Sequence, residues 1–75
     1  MKFNCSFARI KTDECRQIVV TLTDDERAAV ERARAANGDE HALLIGRGYA
    51  LRRAHSELDE HDWTHVEPPA EILLS

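Results

Sequence analysis

Four aromatic side chains in 75 residues, two Phe, one Tyr and one Trp, leave this chain little material for a large core. Three glycines and two prolines are too few for a collagen-like or low-complexity chain. Two cysteines, Cys5 and Cys15, with no CxxC pair, exclude both a disulfide-stapled miniprotein and a finger-type zinc site. The longest uninterrupted apolar run is Ala42 to Ile45, against the roughly 20 residues that a membrane-spanning helix needs. The opening stretch MKFNCSFARI carries Asn4, Ser6 and Arg9 where an export signal has an apolar block. The expectation is a cytoplasmic protein with reduced thiols and no membrane contact.

What is present, 43% hydrophobic and 32% charged residues, fits one globular domain, because half this length would bury too little apolar surface to fold alone. The net charge of −4 is unevenly spread: residues 1–22 carry +2, 23–38 carry −1, 39–55 carry +1 and 56–75 carry −6. A slightly basic body with a strongly acidic tail is a pattern common in interaction segments.

Residues 2–10 and 16–22 alternate with period two and predict an antiparallel hairpin. Pairing Lys11 with Glu14 sets Phe3, Cys5 and Phe7 opposite Leu22, Val20 and Ile18 on one apolar face. Asn4, Ser6, Ala8, Ile10, Cys15, Gln17, Val19 and Thr21 then share the other face. Cys5 and Cys15 fall on opposite faces, which precludes an intrachain disulfide. In TDDE, Thr23 and Glu26 form a capping box, Asp24 and Asp25 favour the positive helix end, and Asn37-Gly38 supplies a stop. The spacing predicts a helix over 24–37 with Ala29, Val30, Ala33 and Ala36 buried. A second helix, capped by Asp39 and running to Trp63, would bury Leu44, Leu51 and Leu58 beside Ala50, Ala54 and His55. Gly46 and Gly48 mark a bend, a late start, or a close approach of another backbone. Pro68 and Pro69 forbid continuation. The expected fold is therefore α+β: an N-terminal antiparallel β-hairpin, two antiparallel helices and an extended acidic C-terminal tail. Residues 1–62 form one ββαα domain, and 63–75 an extended or partly disordered tail.

For chemistry the chain offers little. His61 and His65 have the i, i+4 spacing of a zinc pair, but two ligands do not make a site, and we expect no metal and no cofactor. Cysteines, serines and histidines fall in no nucleophile signature. The GRG at residues 46–48 lacks the remaining glycine and the lysine of a phosphate loop. We expect no enzyme. Trp63, Val66, Ile72, Leu73 and Leu74 are apolar groups in a proline-broken segment, and Arg47, Arg52 and Arg53 cluster on the second helix. Of these, Arg47, Arg52, Arg53, Trp63, Val66 and Ile72 are the candidate protein-binding residues; the bland alternatives are a Trp63 folded back on the hairpin and a solvated basic face.

From Arg16 to Arg53 the order of strand, capped helix, Asn-Gly break and second helix resembles the ribbon-helix-helix repressors and antitoxins. That resemblance implies a dimer whose paired strands read DNA with Gln17, Val19 and Thr21. Those positions carry no lysine or arginine, Phe3 to Ile10 take up an edge the twin would need, and the charge is negative. We therefore expect a monomer without direct nucleic-acid contact. Over its whole length, from MKFNCSFARI to DEHDWTHVEPPAEILLS, the chain is similar to the small phage-encoded transcription regulators of the lytic Xanthomonas phage type. The similarity implies a non-enzymatic protein that binds host RNA polymerase at the N-terminal region of its largest subunit and near the RNA exit. There it would displace the sigma factor and promote antitermination.

Overall fold

The computed structural model describes residues 1–58 and 62–72. Its elements run β1 (Lys2–Arg9), β2 (Glu14–Thr21), α1 (Asp24–Asn37), α2 (Asp39–Ser56), β3 (Trp63–His65) and β4 (Ala70–Ile72). The chain is α+β, with the N-terminal antiparallel hairpin followed by two helices.

The six residues expected on the apolar face of the hairpin, Phe3, Cys5, Phe7, Ile18, Val20 and Leu22, are all buried. The register differs from the expected one by two residues: Phe3 pairs with Val20, Cys5 with Ile18 and Arg9 with Glu14. A shift of two preserves every face, because side chains alternate with period two. The reason lies in the turn. Ile10 to Asp13 form the loop, and Asp13 adopts φ 54°, a left-handed conformation that a short polar side chain tolerates. The Arg9–Glu14 ion pair, 3.2 Å, closes the loop, and the Leu22 amide donates to the Met1 carbonyl at 2.9 Å at the far end. Cys5 is buried and Cys15 exposed, both as free thiols.

α1 occupies the expected residues. The Thr23 hydroxyl accepts from the Glu26 amide (3.2 Å), and the Glu26 carboxylate accepts from the Thr23 amide (2.8 Å). The helix ends at Gly38, whose φ of 94° and ψ of 177° suit glycine alone. This one residue also begins α2, so Asp39 is the first helical residue and not the cap, and its side chain pairs with Arg34 at 3.0 Å. On α1 Val30 is fully buried and Ala29 and Ala33 partly so, whereas Ala36, expected inside, is exposed.

The buried stripe of α2 is Ala42, Gly46, Ala50 and Ala54, a row of small residues at steps of four. The expected leucine stripe is corrected: Leu44 is exposed, Leu51 is half-buried, and Leu58 is buried but lies beyond the helix. Bulk comes from the sheet, where Phe3 and Phe7 are the largest fully buried side chains, and the helix answers with small side chains that let it approach closely. A Cβ on Gly46 would stand 2.8 Å from Cζ of Phe3, so a ring is what passes close there, not a backbone. α2 stops at Ser56 rather than reaching Trp63. The Glu57 amide donates to Ala54 and the Leu58 amide to His55, a tightened final turn that swings Leu58 under the core.

Residues 63–72 hold two short strands. β3 and β4 both pair antiparallel with β1, on the edge opposite β2. Register shifts by two residues between them, and Pro68 and Pro69, which lack amide donors, occupy the interruption. Among the described residues the helices lie on one face of the sheet, with α2 packed on β1 and β2 and α1 packed on α2. β1 lies inside it and β2 at its edge.

Candidate protein-binding surface

The three arginines expected to form one basic cluster point in different directions, since neighbouring helix positions lie about 100° apart. Arg53 reaches to the end of β2 and the start of α1. Its Nη1 donates to the Thr21 carbonyl (2.6 Å) and to Glu26 Oε1 (2.8 Å). Arg53 is therefore a clamp holding strand, first helix and second helix together. Desolvation pushes the Glu26 carboxyl upward, but the hydrogen bond from the Thr23 amide and the charge of Arg53 outweigh it, so its pKa lies below the ordinary glutamate value. Arg47 leans the other way, its Nε donating to the Pro69 carbonyl at 3.0 Å, and ties the proline segment to α2. Arg52 alone stays exposed without a partner among the described residues.

Trp63 is half-buried against the core at the end of β3, opposite Arg9 of β1. The Arg9 guanidinium lies over its ring, 4.5 Å from the centroid, while Arg9 Nε pairs with Asp62 at 3.1 Å. Trp63 is thus folded back on the hairpin, the alternative set beside an interface anchor. Val66 is 60% exposed although its amide donates to the Ser6 carbonyl, and Ile72 is half-buried opposite Lys2. Leu73, Leu74 and His61 lie outside the described residues. His65 sits opposite Phe7 in the sheet, and the described residues contain no group of three or more His, Cys, Asp and Glu side chains suited to a metal ion. His55 stands edge-on to Phe7 with ring centroids 4.9 Å apart. None of the described helices is long and apolar enough to cross a membrane.

The structure brings forward Leu44, which periodicity had placed in the core. It is 62% exposed, on the side of α2 turned from the sheet, next to Gly48, Tyr49 and Arg52. On the open face of the sheet Gln17, Val19 and Thr21 are exposed, and among the described residues β2 keeps one edge without a neighbouring strand. Gln17, Val19 and Thr21 would be the base readers of a ribbon-helix-helix strand. No family model matches the chain, and no curated protein or solved structure shows significant similarity to it.

Proposed function

We propose that this chain is a small non-enzymatic regulator of transcription that acts in the cytoplasm of a phage-infected cell by binding host RNA polymerase. It engages the N-terminal region of the largest subunit as a monomer, hinders initiation by displacing the sigma factor, and lets elongating polymerase pass terminators. These steps come from the whole-chain likeness described above. The observation that carries the reading is the separation of charge, −6 over residues 56–75 against +2 over the first 55. Glu57 and Glu67 are exposed on that acidic segment, and so is Val66, the chain neighbour of Glu67. An acidic segment with exposed apolar groups suits the basic, RNA-handling surfaces of a polymerase, where the field raises the association rate. The test is capture of core polymerase on immobilised full-length chain, followed by promoter-initiated and terminator read-through transcription. Retention that weakens with salt, loss of sigma-dependent initiation and increased read-through are expected. Absence of capture at low ionic strength would overturn the proposal.

One observation favours a second reading, a dimeric ribbon-helix-helix protein: β1 takes one edge of β2, and the other is open among the described residues. Against it, Arg53 already occupies the Thr21 carbonyl, and the open-face side chains of β2, Cys15, Gln17, Val19 and Thr21, include no cation. A dimer in light scattering that shifts duplex DNA at moderate salt would establish this reading in place of the first.

A further inference from the structure

Gly46 and Gly48 both interrupt a helix interior, where glycine is unfavourable relative to alanine. Phe3 explains Gly46, but a Cβ on Gly48 would meet nothing within 4 Å. The fold therefore gives no reason for glycine at 48. Around it, Leu44, Ile45, Gly48, Tyr49 and Arg52 line a hollow of about 290 Å³. Ile45, Gly48, Tyr49 and Arg52 stand at i, i+3, i+4 and i+7, the four-residue hole that accepts a side chain from a facing helix. A neighbouring hollow of about 330 Å³ is lined at the same spacing by Glu40, Leu43, Leu44 and Arg47. The exposed Leu44 is the ridge between the two.

The rims decide the occupant. Arg52 has no partner among the described residues, and Arg47 uses only its Nε, against a single carboxylate, Glu40. The rim is net positive, so a second copy would set like charge against like, whereas a helix flanked by carboxylates would find complementary charge. We propose that the outward face of α2, centred on Leu44 and Gly48, docks an amphipathic helix of a protein partner whose apolar stripe is bordered by acidic residues. This deepens and rests on the protein-binding reading above, adding a surface and a ligand chemistry.

The test uses the full chain and two designed helical peptides, fluorescently labelled, with leucines along one stripe and either Glu or Lys on its flanks. Anisotropy titration should show the Glu peptide binding at least ten times more tightly than the Lys peptide. Gly48→Leu, which fills the hollow, should weaken the Glu peptide at least tenfold while leaving the melting temperature equal or higher. Arg52→Glu should reverse the preference between the peptides. Equal binding of both peptides, or no effect of Gly48→Leu, would overturn the proposal. So would a concentration-dependent dimer that Gly48→Leu abolishes, which would give the face to a second copy. Polymerase captured equally by wild type and Gly48→Leu would overturn the surface and leave the polymerase reading standing. Glu-peptide binding that behaves as expected, without polymerase capture, would uphold the surface and remove that partner.

Discussion

Glycine at position 46 is set by a neighbour that no local pattern reveals. The Phe3 ring, fully buried, fills the space a side chain would need. Gly46→Ala gains the roughly 1 kcal/mol of helix propensity that glycine forgoes, but drives a methyl against a ring that cannot move aside, at a cost of about 1 to 3 kcal/mol. The net expectation is destabilisation, seen as a lower urea midpoint with an unchanged slope; a Gly46→Ala chain more stable than wild type would show that the ring has room to give. Glu26 is the second decisive residue. Its folded pKa is lowered, so its contribution to stability is fully present above the unfolded value near 4.5 and is lost as pH falls through the lower folded value. Glu26→Gln should lose stability at neutral pH and show a flatter decline in stability between pH 5 and 3. An unchanged pH slope would mean the Thr23 and Arg53 bonds do not hold the carboxylate.

Short strands such as β3 and β4, of three residues each, hold through what surrounds them rather than through their own ladders. Arg9 supplies much of that support, joining Glu14 of the hairpin, Asp62 and the Trp63 ring. Arg9→Ala should lower stability by about 0.5 to 2 kcal/mol, the scale of a cation–π contact and its ion pairs. It should also shift Trp63 emission to the red as the indole gains solvent. A wild-type spectrum would show that the core, and not Arg9, holds the indole. At the scale of elements the hairpin faces and the limits of α1 were legible in the sequence. Alternation marks a strand face, and the capping box and Asn-Gly stop mark a helix, all through contacts within a few residues. The stripe of α2 was not legible, because its large leucines mimic a heptad while the contact surface is the small-residue row Ala42, Gly46, Ala50 and Ala54. Only the bulk of Phe3 and Phe7 across the interface makes the small row the inward one.

In the molecule as a whole, residues 63–72 cover the second edge of β1. Their backbone pairs with β1 along the edge that β2 leaves open, where short, interrupted strands guard against association with other chains. Deleting residues 63–75 should leave that edge bare and produce self-association in size-exclusion chromatography with light scattering. A truncated chain that stays monomeric would show that β1 tolerates an open edge.

The candidate surface follows the same division. Arg47, Arg52 and Arg53 were evident as a group of cations, but their roles depend on where α2 sits. Arg53 faces Thr21 and Glu26, Arg47 faces Pro69, and Arg52 faces solvent beside Leu44. By itself the sequence determined the α+β order, the apolar hairpin face and the capped first helix, because these rest on periodicity and on hydrogen bonds between near neighbours. Tertiary structure alone decided the inward side of α2, the pairing of residues 63–72 with β1 and the exposure of Leu44, since each depends on the volume or charge of residues far away in the chain; the hairpin register was set by the left-handed turn residue Asp13, which alternation does not reveal.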